Sequence, residues 1–131
     1  MEKQISIGLR NTFIVHGTIM SIIALIFLSA PIQWGSLTGA MSEEVPQIYT
    51  ILGATILGYA ISSFLAIRES SWEKVKIIVQ MECIISIIFP FVLLFGILLL
   101  GLPQIAWLFF VVMSGFTIAF NFFYFKELKT K

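Results

Sequence analysis

The chain has 131 residues, of which 59% are hydrophobic and 11% are charged, and its net charge is +1. Soluble globular domains carry about 45–50% apolar and about 25% charged residues, so this balance excludes an ordinary soluble domain. The near-zero net charge also excludes the strong positive field of a protein that binds nucleic acid. We therefore expect an integral membrane protein with membrane lipid, and no nucleic acid, as its surroundings.

The eight Lys and Arg residues lie in three places along the chain, and long apolar stretches separate these places. They are Lys3 and Arg10 in the N-terminal tail, Arg68, Lys74 and Lys76 in one connector, and Lys126, Lys129 and Lys131 in the C-terminal tail. Cytoplasmic loops collect Lys and Arg, whereas translocated loops lack them. The pattern predicts four crossings with both termini in the cytoplasm, in a multi-pass protein of the cell membrane.

The first two apolar stretches are predicted to span residues 13–32 and 47–67. The basic residues before the first stretch resemble the start of a signal peptide, but Pro31 directly after Ser29 and Ala30 disfavours cleavage. We therefore expect an uncleaved anchor that ends at Pro31. Pro46 precedes the second stretch, at a position that the first turn of a helix tolerates.

The third stretch, 75–101, is longer than the roughly 20 residues that a bilayer requires, and its Pro90 predicts a kink or tilt. A turn at residues 101–103 leads into the fourth stretch, 104–125. Lipid offers the backbone no hydrogen-bond partner, so each stretch is predicted to be a helix. The expected fold is all-α: a four-transmembrane-helix up-down bundle that forms one domain over residues 1–131.

Aromatic residues mark both predicted membrane interfaces, as is typical of membrane proteins. Trp34, Tyr49 and Trp107 are expected at the outer interface, and Trp72 and Tyr124 at the inner one. The outer connector, residues 33–46, is too short for a domain and has no basic residue. It contains Gly35, Gly39, Glu43 and Glu44.

Five small residues follow one another at four-residue spacing in the second stretch, and we call them the small-residue ridge: Thr50, Ala54, Gly58, Ser62 and Ala66. Such a ridge lets another helix approach closely. Packing within the chain is the favoured interpretation, and a homodimer seam is the alternative. Both interpretations predict that Gly58→Leu disrupts folding or assembly.

Two ionisable residues, His16 and Glu82, lie inside the apolar stretches. Counted from the flanking basic residues, they are predicted to lie at one depth in the cytoplasmic half of the membrane, level with Ser62, Ser63 and Asn121. A charged side chain at the centre of a spanning helix costs about 2.5–3.5 kcal/mol on insertion scales. Glu82 is therefore expected to face the bundle interior with a partner, for which His16 is the natural candidate, or to be protonated. Ser86, one turn further on, shares the face of Glu82.

These residues admit two interpretations. They form a proton-linked or ligand-binding site, or they form a structural hydrogen-bond cluster from which Glu82 reaches towards the headgroups. One carboxylate and one imidazole are too few ligands for a metal site, and a lone intramembrane His is a weak signal for heme. The sequence therefore predicts no metal and no other cofactor.

The basic connector is predicted to cap the third helix with Ser70 or Ser71 and to place Glu73 in its first turn. The alternative is an inner rim that contacts anionic lipid or a docking protein. Its candidate residues are Arg10, Arg68, Trp72, Lys74, Lys76 and Lys126.

The features of the chain follow a characteristic order: a first span ending at Pro31, a short outer loop with Gly35 and Gly39, Leu52-Gly53-Ala54 and Leu57-Gly58 in the second span, a basic inner turn and two further spans. This order resembles that of the DoxX-like and related small four-helix membrane proteins. The resemblance implies a four-helix bundle and assigns no catalytic residue.

No motif of a nucleophile elbow, a phosphate loop, a metalloprotease or a dithiol site occurs, so the sequence leans against an enzyme. The favoured hypothesis is an accessory, assembly or small-ligand-binding subunit, with a membrane-protein partner or as a homo-oligomer. One alternative is an oligomeric proton-linked transporter or channel that uses Glu82 and His16. The other is a lipophile-binding membrane enzyme.

Overall fold

The computed structural model describes residues 3–37 and 45–129, which form five α-helices. They are α1 (Ile7–Ser29), α2 (Pro31–Leu37), α3 (Val45–Arg68), α4 (Trp72–Leu99) and α5 (Ile105–Lys129). Four of them, all except α2, are long and apolar enough to cross a membrane. This confirms the predicted all-α class and the four apolar helices of a small multi-pass integral membrane protein. Gly39, Glu43, Glu44 and Lys131 lie outside the described residues.

Pro31 starts a separate helix instead of only ending the first span. Helix α1 begins after Ser6, whose hydroxyl accepts a hydrogen bond from the Leu9 amide, and it ends at Ser29. Proline fits the first turn of a helix because its missing N–H would have no partner there. The short α2 therefore begins at Pro31, where the sequence pattern predicted only a stop.

The turn between α4 and α5 has the form predicted for residues 101–103. Gly101 has a φ of +67°, a left-handed conformation that glycine adopts without steric cost. The Leu102 amide donates to the Gly96 carbonyl over 3.1 Å, and the Leu102 side chain packs on Gly96. Helix α4 itself runs without interruption through Pro90.

The spans form two tightly packed hairpins. One joins α1, α2 and α3, the other joins α4 and α5, and the contacts between the two hairpins are sparse. Helices α1 and α3 are in close contact at Gly53, where a Cβ atom would lie 3.0 Å from both Phe27 Cβ and Leu28 Cγ. The buried face of α3 follows three- and four-residue spacing, as expected for an α-helix, through Gly53, Ile56, Ala60 and Ser63.

The small-residue ridge is not the contact face of α3 within the chain. Thr50, Ala54 and Gly58 are exposed, and within residues 3–37 and 45–129 a Cβ atom at Gly58 would have no neighbour within 4 Å. Each four-residue step turns about 40° too far around a helix of 3.6 residues per turn, so five such positions cannot share one face. The prediction that these three residues pack against another helix of the same chain is therefore wrong. The homodimer seam stays a prediction.

The N-terminal tail is bound to the end of α5 through contacts that we call the terminal clasp. The Lys3 ammonium lies 3.3 Å from the Glu127 carboxylate and also donates to the Glu127 carbonyl. The Ser6 amide donates to the same carboxylate over 2.8 Å. Glu127 is buried, so the Lys3 ammonium and the Ser6 amide compensate a carboxylate that has little contact with solvent.

The tail also pairs with the α3–α4 connector. The Ile5 amide donates to the Ser70 carbonyl over 2.9 Å, and the Trp72 amide donates to the Lys3 carbonyl over 2.8 Å. The Lys3 ammonium lies 5.7 Å from the centre of the Trp72 ring, which is 3% exposed. Trp72 was predicted to contact lipid headgroups, and this prediction is wrong because the tail and Tyr124 cover it.

The basic connector differs from the prediction in its cap. Ser71 is the N-cap residue of α4, but its side chain makes no capping hydrogen bond. Glu73 lies in the first turn of α4, as predicted. The basic candidates of the inner rim lie at the surface, with Lys76 half-buried, and their contact with lipid stays a prediction: Arg10, Arg68, Lys74, Lys76 and Lys126.

Candidate functional site

Four polar residues from three helices meet between the hairpins, and we call them the polar cluster: His16 from α1, Ser62 and Ser63 from α3, and Glu82 from α4. His16 and Glu82 are each 3% exposed, and Ser63 is fully buried. The structure thus places together the two ionisable residues that the sequence singled out. Their role stays a prediction at this point.

The His16 ring is fixed on three sides. Its Nδ1 atom lies 2.8 Å from the Ser63 hydroxyl, and its edges meet the rings of Phe116 and Phe120 at centroid distances of 4.7 Å and 5.2 Å. Its Nε2 atom lies 3.8 Å from a Glu82 carboxyl oxygen, which is close enough for electrostatic interaction but too long for a direct hydrogen bond. Nε2 therefore keeps its capacity to bind a further group.

The Glu82 carboxyl group forms only weak hydrogen bonds with its neighbours. The Ser62 hydroxyl lies 3.2 Å from Glu82 Oε1 and 2.8 Å from the Tyr59 carbonyl oxygen. A hydroxyl carries one proton, so it donates to one of these acceptors at a time, and the carbonyl is nearer. The other carboxyl oxygen faces His16 across the gap of 3.8 Å. Glu82 thus has hydrogen-bonding capacity that Ser62 and His16 do not saturate.

Glu82 and His16 line one end of a cavity of about 300 Å³ between the two hairpins. Ser86 lies on the same wall, and the remaining wall is almost wholly apolar, including Met20, Ile56, Phe89 and Met113. From His16 to Phe27 the cavity follows α1 for about 16 Å, at 1.5 Å of rise per residue. It is therefore long and narrow, with its polar groups at one end.

Aromatic side chains line the opposite end of the cavity. The Phe27 ring contacts Trp34 and Tyr49 at centroid distances of 5.2 Å and 5.4 Å, and Phe109 at 6.2 Å. Trp34 and Tyr49 were predicted as outer-interface anchors, and the structure shows them half-buried in the cavity wall. Trp107 is 44% exposed, which is compatible with the interface position predicted for it.

The two other site candidates differ in their relation to the cavity. The Ser86 hydroxyl donates to the Cys83 carbonyl over 3.1 Å, and Thr117 donates to the Ser86 carbonyl. Asn121 donates to the Thr117 carbonyl within α5 over 2.8 Å and does not line the cavity. Asn121 was predicted at the same membrane depth as Glu82 and His16, but its side chain bonds to its own helix and is not part of the cavity wall.

Sequence reasoning missed the apolar and aromatic cavity wall. Those residues have no sequence signal that separates a cavity lining from an ordinary core, because both are apolar. Neither a protein-family model, nor a curated protein, nor a solved structure matches the chain. The resemblance to DoxX-like proteins stays a prediction.

Proposed function

We propose that this protein binds a small lipophilic molecule in the cavity between its hairpins, with the polar cluster at one end of the bound molecule. The observation that carries the proposal is the long apolar cavity that ends at Glu82 and His16. Ligand sites have volumes of about 300–1,000 Å³, mostly apolar walls and a few convergent polar groups. The cavity has all three properties.

The geometry favours a binding site over a purely structural cluster. In a structural cluster the two ionisable groups would satisfy each other directly, whereas Glu82 and His16 are separated by 3.8 Å and both face the cavity. Ionisable residues inside a membrane protein that face a cavity are typical of functional sites. The ligand-binding part of the subunit hypothesis is therefore preferred, and the transporter and enzyme hypotheses stay predictions.

The proposal includes an up-down bundle with both termini in the cytoplasm. Two observations support it: the basic residues flank alternate ends of the apolar helices, and the N-terminal tail is bound both to the α3–α4 connector and, through the terminal clasp, to the end of α5. The polar cluster then lies in the cytoplasmic half of the membrane, and the aromatic end of the cavity lies in the outer half.

Orientation is tested with single cysteines in a Cys83→Ser background. Gln4 and Gln33 are both exposed and lie at opposite ends of α1. In intact cells, an impermeant maleimide is expected to label Gln33→Cys and to leave Gln4→Cys unlabelled until the cells are lysed. The reverse labelling pattern would show that the termini are outside.

Filling the cavity is expected to abolish binding. Met113 lines the cavity and is 8% exposed, so Met113→Trp places an indole in the space of the ligand. We expect the specific retention of radiolabelled decanol and decane by the protein in lipid nanodiscs to fall by at least about ten-fold, which corresponds to 1.4 kcal/mol. Protein-free nanodiscs give the background from partition into the bilayer.

Leu108→Trp is the matched control, because Leu108 lies on the same helix, is 58% exposed and does not line the cavity. It is expected to retain both molecules as the parent does. Ile85→Phe, at another cavity position, provides a second test if Met113→Trp does not fold. Equal retention by the parent and by folded cavity variants would refute the proposed function.

A further inference from the structure

We infer that the bound molecule is an uncharged, single-chain lipophilic alcohol whose hydroxyl group bridges Glu82 and His16. This inference rests on the binding function proposed above and assigns the chemical class of the ligand. It is carried by the distance between the two ionisable side chains, by the absence of basic side chains from the described cavity wall and by the shape of the cavity.

The gap between Glu82 and His16 fits one oxygen atom. Glu82 Oε2 and His16 Nε2 lie 3.8 Å apart, so an atom at a hydrogen-bond distance of about 2.8 Å from each can sit beside the line that joins them. A hydroxyl group has one donor and two acceptor lone pairs. It can accept from Nε2–H and donate to the carboxylate, or accept from a carboxylic acid and donate to Nε2. A hydroxyl group therefore fits the cluster whether the proton is on the imidazole of His16 or on the carboxyl group of Glu82.

The partner of the imidazole on its other side permits both arrangements. His16 Nδ1 lies 2.8 Å from the Ser63 hydroxyl, which donates to a bare nitrogen and accepts from a protonated one. Ser63 therefore stabilises either tautomer of His16. The cluster does not require a charged group from the ligand in order to satisfy its hydrogen bonds.

Charged head groups fit the site less well. An ammonium group has donors but no acceptor, and a buried ammonium–carboxylate pair carries a desolvation penalty of several kcal/mol per ion. A carboxylate head group would lie beside Glu82, and no Lys or Arg occurs among the described residues of the cavity wall to compensate it. An uncharged donor–acceptor group avoids both costs.

The rest of the cavity selects a single apolar chain. Its lining follows α1 for about 16 Å by the helical rise, and its volume of about 300 Å³ lies at the lower end of the range for ligand sites, which favours one chain over two. Ile56 and Phe89 lie along its length, and Phe27 and Trp34 lie at its far end. The alkyl chain of the alcohol would occupy this cavity and place the hydroxyl group at Glu82.

The test compares four probes of equal chain length: decanol, decane, decylamine and decanoate. Each is radiolabelled and titrated into nanodiscs that contain the parent protein, and dissociation constants refer to the probe concentration in the bilayer. We expect decanol to bind at least about ten-fold more tightly than any other probe. Tighter binding of decylamine or decanoate would overturn the inference while leaving the proposed function intact.

Variants of Glu82 test whether this residue causes the preference for decanol over decane. Glu82→Leu is expected to bring the affinity for decanol to that for decane, and Glu82→Gln, whose amide both donates and accepts, is expected to preserve most of the preference. Glu73→Leu, at an exposed carboxylate on the same helix, should change neither affinity. Glu82→Met replaces Glu82→Leu if the latter does not fold.

A decanol preference that survives in folded Glu82→Leu or Glu82→Met would overturn the inference. The Met113→Trp variant separates this failure from failure of the proposed function. If Met113→Trp retains all four probes as the parent does, no binding occurs in the cavity. If it loses them all while the parent shows no preference for decanol, the cavity binds ligand but the assignment of the head group is wrong.

Discussion

Gly53→Leu is expected to lower the free energy of unfolding by about 3 kcal/mol, whereas Gly58→Leu is expected to change it by less than about 0.5 kcal/mol. A Cβ atom at Gly53 would lie 3.0 Å from Phe27 Cβ and 3.2 Å from the Ala24 carbonyl oxygen, so a larger side chain forces α1 and α3 apart. At Gly58 no atom of another described element lies within 4 Å of that position. Unfolding of the two purified variants by SDS titration, followed by circular dichroism, measures the difference.

The Gly58→Leu variant also tests the homodimer seam. If the exposed part of the small-residue ridge joins two copies, this variant should unfold like the parent but elute later on size exclusion. An unchanged elution volume would remove the seam hypothesis. Equal destabilisation by Gly53→Leu and Gly58→Leu would contradict the observed packing of α1 on α3.

His16→Phe is expected to lower the free energy of unfolding by about 2–3 kcal/mol, and the added substitution Ser63→Ala is expected to recover about half of that loss. Phenylalanine preserves the aromatic contacts with Phe116 and Phe120 but leaves the fully buried Ser63 hydroxyl without its imidazole partner. Loss of one partner costs the desolvation of the other, whereas removal of both is nearly neutral.

A double-mutant cycle measures this coupling through unfolding by SDS titration of the parent, the two single variants and the double variant. Thr18→Ala is the control, because Thr18 is exposed on the same helix and donates to the Ile14 carbonyl. It is expected to be neutral within about 0.5 kcal/mol. Strict additivity of His16→Phe and Ser63→Ala would show that the two side chains do not depend on each other.

The sequence predicts the helices well because lipid leaves a long apolar stretch few other conformations. It also predicts the meeting of His16 and Glu82, since ionisable side chains are rare in such stretches and avoid the acyl chains. The face of the helix on which a residue lies is harder to predict from the sequence. Four-residue spacing drew attention to Gly58, whereas the close helix contact is at Gly53, which has the same residue type and differs only in the face that it occupies.

Burial of a side chain by residues that are distant in the sequence has no local sequence pattern either. Trp72 lies in the basic connector and has the sequence context of an interface residue, but the N-terminal tail and Tyr124 of α5 bury it. The cavity presents the same difficulty. Its wall includes Met113, which belongs to the hydrophobic core, and Phe89, which packs against that core, so residue type does not separate a cavity wall from a core.

The terminal clasp has a consequence for biosynthesis. Lys3 and Glu127 are 124 positions apart, so the bonds between them form only after the end of α5 has left the ribosome. Until then the earlier spans reside in the bilayer without this closure. A nascent chain that stops before the final turn of α5 leaves the segment around Lys3 unanchored, which gives quality-control proteases a physical difference between chains with and without the clasp.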